Sequence, residues 1–322
     1  MELKGFRRED ISKADDVMNY LSTADAIIID LRENGGGNSL GLYWSSYFLK
    51  DNTSLSGIYE RRTDTKTELK TVDIKGDKRL DMPIFILTSN YTFSAAEAFA
   101  YDLQAACSSF LYGMSTASSY IESGRYKKVL LIGADKMSSI IDYSDRATCI
   151  IFGDGAGAVL FEPNSDGMGL QDEYLRSDGS GREFLKIEAG GSILPASKDT
   201  LKNGQHFVHQ EGKTVFKFAV SNMADVAEKM LTRNQLSNDD ISWLVPHQAN
   251  KRIIEATAKR VNLDASKVMM NIYKYGNTTS ATLPLLLADY EHQLKKGDNL
   301  IFAAFGGGFT WGAIYLKWAY NS

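Results

Sequence analysis

The 322-residue sequence predicts an α/β fold. Three observations carry that expectation. Short apolar runs rich in β-branched residues end in glycine or polar turns, as buried strands do. Segments of helical period lie between those runs. The composition, 43% apolar and 24% charged, is that of a globular chain.

In chain order, residues 25–31 (DAIIIDL) predict a buried strand entering the turn Arg32-Glu33-Asn34-Gly35-Gly36-Gly37. Residues 39–49 predict a helix, 59–73 an exposed charged hairpin, and 82–88 (MPIFILT) a second buried strand. Beyond residue 103 the texture changes. Residues 108–122 are rich in small side chains, with Phe110, Leu111, Met114 and Ile121 at helical spacing. Strands follow at 128–133, 149–152 and 158–161, the last two around the turn GDGAG. An amphipathic helix spans 213–232, with Val215, Ala219, Met223, Val226 and Met230 on one side. A strand at 241–245 leads to Pro246-His247, then come helices at 250–261 and 281–294. Strands at 299–304 and 312–318 flank the loop FGGGFTW.

Composition also narrows function. The net charge of −4 argues against a broad nucleic-acid surface. Two cysteines make no disulfide framework and point to a reducing, cytoplasmic setting. No run has the length of a membrane-spanning helix, and the start MELKGFRRED lacks an apolar export core. His206, His209 and His292 form no ligand-like cluster, so no metal site is expected. GDGAGA at 153–158 lacks dinucleotide-fingerprint spacing and reads as a tight turn between strands. Cys149 reads as core.

Cys107 stands just before the small-residue helix, where the helix dipole and unpaired N–H groups favour a thiolate. His247 follows a strand in VPHQAN, and Asn277 lies in the glycine-marked loop YGNTT. Gly306-Gly307-Gly308 can bring backbone N–H groups to a developing oxyanion. Singly, such a cysteine or histidine is ordinarily a structural residue. Together with their flanking words they are specific. QAACSSFLYG, DRATCIIFGDGAGAVL, VPHQANKRIIEATAKR, YGNTTSATLP and AFGGGFTWGA resemble β-ketoacyl-acyl-carrier-protein synthase III over about residues 100–320.

That resemblance implies a thiolase-like layered α/β/α/β/α fold for the C-terminal two-thirds. It implies decarboxylative condensation of acyl-CoA with malonyl-acyl-carrier-protein, with no permanent cofactor. Cys107 matches the nucleophile that carries the acyl group. His247 and Asn277 match the pair that stabilises the malonyl enolate, Cys107 and Gly307 N–H the second oxyanion hole, and Phe305 a residue packed beside the cysteine. Arg146 matches a position near the CoA nucleotide. Arg252, Lys259 and Arg260 match a basic face for the acidic carrier protein, although a solvated helix face accounts for the charge equally well. Family members are homodimers. Cys–His–Asn order and spacing also fit a papain-like peptidase, but the local words do not.

The first region reads differently. DAIIIDLRENGGG and MPIFILTSNYTFSAAEAFAYDLQ resemble tail-specific, or C-terminal processing, serine peptidases over about residues 3–103. Ser94 matches that family's nucleophile, and Gly36 and Ala95 N–H its oxyanion donors. The base lysine expected about two dozen residues on is absent, position 119 being Ser119. A serine without a base is a poor nucleophile, and a helix N-cap with Glu97 is the competing role for Ser94. The sequence thus predicts two parts: 1–103, a partial α/β peptidase core, and 104–322, a synthase-like region lacking part of its first half. The join lies near 101–104, a chimera of two truncated domains in which turnover is expected to be weak or absent. The alternatives are a serine peptidase and a non-catalytic chain.

Overall fold

The computed structural model describes residues 1–24, 27–31, 33–53, 55, 58–60, 63, 65–80, 84–87, 105–191 and 194–321. Packing divides the chain into two units. The first comprises 1–104, 176–183 and 187–206; the second comprises 105–175, 184–186 and 207–322. The leading segment of the first unit ends at residue 104. The two later segments that pack with the first unit lie inside the stretch the sequence assigned to the second part.

In the first unit, Ile27–Asp30 pairs in parallel with Ile84–Leu87, as two neighbouring strands joined by a crossover must. The helix Leu40–Phe48 lies between them in sequence. Its Leu40, Tyr43, Trp44, Tyr47 and Phe48 join Ile29, Leu31 and Met18 of the helix Ile11–Tyr20 in one core. Tyr43 and Tyr47 both donate to Asp15 Oδ1 at 2.5 Å, which lets two phenols enter that core with their hydroxyls satisfied. The charged hairpin forms as short strands, Ile58–Glu60 and Thr65–Thr67.

The second unit is built on a four-stranded sheet. Its order is Trp243–Pro246, Asn299–Gly306, Thr310–Lys317, Gly169–Ser177. The first pair is parallel and the second antiparallel. Alternation along the central strand explains the layering, because successive side chains leave opposite faces. Ile301, Ala303 and Phe305 pack with the helices Gly212–Arg233 and Lys251–Arg260. Leu300, Phe302 and Ala304 pack with the helices Ser109–Glu122 and Thr282–Tyr290. A sheet covered on both faces reads as continuous apolar sequence, which is what NLIFAAFG is. All five expected core positions of the long helix are buried. Val129–Asp135 and Gly155–Phe161 form a separate antiparallel pair.

Three expectations are corrected. Residues 149–152 are not a strand. Asp145 accepts from Ala147 N–H and from the Thr148 hydroxyl, curling the chain into successive turns that end in one bridge from Phe152 to Asn277. Nor is GDGAG a tight turn, because the strand already begins at Gly155. The glycines are there for close approach: a Cβ on Gly157 would sit 2.8 Å from Pro284 Cβ. Cys149, expected in the core, is only half-buried. Among the described residues no helix is long and apolar enough to cross a membrane.

Candidate active site

Cys107 lies in the short 3-10 turn Ala106–Ser108 that opens the helix Ser109–Glu122. Ala106 adopts a left-handed conformation, φ 40°. The turn is held by hydroxyls: Ser108 and Thr310 Oγ are 2.8 Å apart, and each reaches the Ala105 carbonyl. The glycine turn after the Asn299–Gly306 strand packs directly on the cysteine. A Cβ on Gly306 would stand 2.7 Å from Cys107 N, so only glycine fits there.

His247 begins where the strand Trp243–Pro246 ends, its N–H donating to the Ala303 carbonyl at 2.8 Å. Buried Gln248 clamps the following chain. Its amide donates to the Pro246 carbonyl, and its Oε1 accepts from Asn271 and Ile272 N–H. The His247 ring is buried, with Nδ1 2.6 Å from Thr282 Oγ1, while Nε2 has no hydrogen-bond partner among the described residues. Burial pushes its pKa down to about 4, so the ring is neutral near pH 7.

Asn277 sits on a loop stitched to residues 151–153 by two backbone hydrogen bonds. Its Oδ1 accepts from Thr279 N–H at 2.9 Å, which leaves Nδ2 as the group it can offer. Thr279, at φ 49°, and Ser280 both donate to Asp135 Oδ2, with Ser280 N at 2.9 Å and Ser280 Oγ at 2.5 Å. This carboxylate anchors the loop from below. It also shares in the state of the thiol. Burial first, then the Asp135 charge, drive Cys107 up to about 12, against a smaller downward pull from the Cys107 and Gly307 N–H groups. The pull of the helix terminus toward a thiolate is outweighed by desolvation, which favours the protonated thiol near pH 7.

Cys107, His247, Asn277, Phe305 and Gly306 line one cavity of about 170 Å³. Its remaining wall is mainly apolar, including Val215, Phe216, Ala219 and Ile253. Three polar side chains converging in an apolar cleft can bind an elongated thioester and stabilise charge on its carbonyl oxygen. Gly307 is not itself part of the lining, but its N–H acts on the Cys107 sulfur.

The expected basic residues separate. Arg252 lies beside the cavity, its guanidinium 4.9 Å from the centre of the Phe216 ring. Arg260 is engaged by Glu228 at 2.9 Å and Asp225 at 3.1 Å on the neighbouring helix. Lys259 and Arg146 are exposed and do not line the cavity. Gly36 N–H is taken up by Asn34 Oδ1 at 2.9 Å rather than offered to a ligand. Ser94 and Ala95 lie outside the described residues. Among the described residues no group of three or more His, Cys, Asp or Glu is placed to hold a metal. Sequence reasoning missed Asp135, Gln248, Thr282 and Thr310. The hydroxyl-rich words NTTSAT and FTW were the available signals.

Comparison with known proteins gives two kinds of match. Residues 101–179 match the family 3-oxoacyl-[acyl-carrier-protein] synthase III, and residues 231–318 its C-terminal portion. Residues 1–126 match peptidase family S41. The chain is 58% identical over 224 residues to β-ketoacyl-[acyl-carrier-protein] synthase III 2 of Bacteroides thetaiotaomicron, covering 70% of this chain and 67% of that one. Synthase III 1 of the same organism is 46% identical over 310 residues, 95% and 92% of the two chains. Among solved structures, the 3-oxoacyl-[acyl-carrier-protein] synthase III of Aquifex aeolicus aligns with TM-score 0.60 at 35% identity, covering 74% and 68%. The Thermus thermophilus synthase III aligns with TM-score 0.61 at 26% identity, covering 96% and 83%.

Proposed function

Because the chain belongs to the 3-oxoacyl-[acyl-carrier-protein] synthase III family, we propose that its Cys107, His247 and Asn277 perform the two half-reactions of that enzyme class. It is an acyl-transferring condensing enzyme with a thiolase-like fold. Its substrates are acyl-CoA and malonyl-acyl-carrier-protein. The single observation that supports the residue roles is the shared cavity, which brings a thiol, an imidazole and a carboxamide from three separate elements to one apolar cleft.

In the first half-reaction the Cys107 sulfur attacks the acyl-CoA carbonyl. The Cys107–acyl bond forms, the bond to the CoA sulfur breaks, and the thiol hydrogen leaves with CoA as its free thiol. In the second, malonyl-carrier protein loses carbon dioxide. The electron pair of the broken bond spreads onto the thioester oxygen, where hydrogen bonds from His247 Nε2 and Asn277 Nδ2 stabilise it. The resulting carbon attacks the acyl-cysteine. Cys107 and Gly307 N–H groups hold the new oxyanion, whose collapse expels the cysteine sulfur. Phe305 forms wall beside the sulfur.

Arg252 is the proposed carrier-protein contact, supported by its place beside the cavity. The internal pairs of Arg260 argue for a structural role instead. Two unpaired cysteines support a cytoplasmic setting, and a homodimer is proposed from the family. For residues 1–103 we propose descent from an S41-type peptidase core, supported by the match of residues 1–126. The alignment with synthase III 1 over 95% of this chain also reaches into this region, so a divergent synthase first half is the second reading.

The test of function is direct. Incubated with acyl-CoA, the protein should gain one acyl group by intact mass, and Cys107→Ala should abolish it. A folded wild-type protein that gains none would reject the assignment.

A further inference from the structure

We infer that Thr282 is a positioning residue for the condensation: its hydroxyl donates to His247 Nδ1 and so keeps the single ring hydrogen on Nε2. The inference rests on the role proposed for His247 above. A neutral imidazole has one N–H, and whichever nitrogen lacks it is an acceptor. Nε2 is the nitrogen without a partner among the described residues, in a ring that lines the cavity with Cys107 and Asn277. What it offers to a substrate oxygen is therefore decided at the other nitrogen.

Thr282 Oγ1 has one hydrogen and two acceptors in reach, His247 Nδ1 at 2.6 Å and the Thr279 carbonyl at 3.0 Å. The two choices have opposite consequences. If the hydrogen goes to Thr279, the threonine oxygen must accept from Nδ1–H. Nε2 then shows a lone pair to an oxygen that is becoming negative, which is repulsive. If the hydrogen goes to Nδ1, Nε2–H becomes a donor and joins Asn277 Nδ2 in holding the enolate. The imidazole nitrogen is the nearer acceptor, and it is the stronger base. Thr282 is itself 2% exposed, so no solvent competes for its hydrogen.

The chain placement reinforces this. Thr282 opens the helix Thr282–Tyr290 immediately after the loop that carries Asn277 and is anchored on Asp135. One segment thus sets both donors: it orients the asparagine amide through Thr279 N–H and the imidazole through the Thr282 hydroxyl. A consequence is that His247 is not the base for Cys107.

Two measurements on the full chain test this. The sequence has four histidines, so long-range nitrogen–proton NMR of labelled protein can resolve His247, assigned by its loss in His247→Gln. The expected wild-type form near neutral pH is Nε2–H; an Nδ1–H ring would overturn the proposal. Kinetics supply the second arm. Thr282→Val should lower kcat for condensation by about a hundredfold, the scale for losing one oxyanion-type donor. Its KM for the malonyl thioester and its rate of acyl-Cys107 formation should stay near wild type, and Thr282→Ser should restore kcat. Wild-type kcat in Thr282→Val would sink the idea. So would equal loss in Thr282→Ser at an unchanged melting temperature, because that marks packing rather than the hydroxyl. Absence of acyl-Cys107 in the wild type is a different failure: it removes the enzymatic reading and leaves the tautomer result standing.

Discussion

At the scale of the residue, the site couples two groups that burial moves in opposite senses along the pH axis. Removing a charge from water disfavours the charged form, so the His247 pKa falls and that of the Cys107 thiol rises. Both are uncharged near neutral pH. A cysteine poised as a thiolate would alkylate at a rate independent of pH above neutrality. A thiol pushed up to about 12 must instead lose its hydrogen first. The rate of Cys107 carbamidomethylation should therefore climb about tenfold per pH unit between pH 7 and 10, without a plateau. Peptide mass spectrometry separates it from half-buried Cys149. A plateau below pH 9 would show that desolvation does not govern this thiol.

At the scale of the element, the geometry depends on strand and helix ends packed against one another. The strand Asn299–Gly306 delivers Phe305 to the cavity and then presses its terminal glycine onto Cys107 N. The parallel neighbour Trp243–Pro246 ends opposite Ala303 and releases His247. A methyl group at position 306 must displace its own strand end or the Cys107 backbone, and backbone does not yield as a flexible side chain does. Gly306→Ala is expected to cost about 1–3 kcal/mol of stability, the usual range for overpacking. It should abolish acyl-Cys107 formation even where the protein is still folded. Chemical denaturation and intact-mass measurement of the same sample check both parts, and retained acylation would mean that the turn can move without harm. This tightness, invisible in the tripeptide Gly306-Gly307-Gly308, explains why the loop cannot be read simply as flexible.

At the scale of the whole molecule, two units each have their own apolar core. Ile29 is fully buried in the first, and Met223 in the second. Ile29→Ala should cost roughly 2–5 kcal/mol, as large-to-small core changes do. If the units are separate cooperative bodies, hydrogen exchange will quicken in residues 1–50 and stay unchanged in the helix Gly212–Arg233. Equal acceleration in both would make them one cooperative body and argue for the synthase origin of the first region. The segments 176–183 and 187–206 belong to the first unit by packing although the synthase-like sequence contains them. A boundary read along the chain could not have found this, since no change of composition marks it.

The sequence by itself determined the α/β class, most of the strand and helix order and three of the polar side chains that line the cavity. Periodicity is a local property, and the cysteine, histidine and asparagine each stand in a short, distinctive word at the end of an element. It also determined the long helix down to its buried face, because 3.6-residue spacing encodes that face directly. What only the tertiary structure decided is what surrounds those groups. The thiol's protonation, the curl at 149–152, the Asp135 anchor and the Thr282 contact all arise from residues far apart in the chain. Desolvation and through-space partners do not exist until the chain has folded, so no local pattern can carry them.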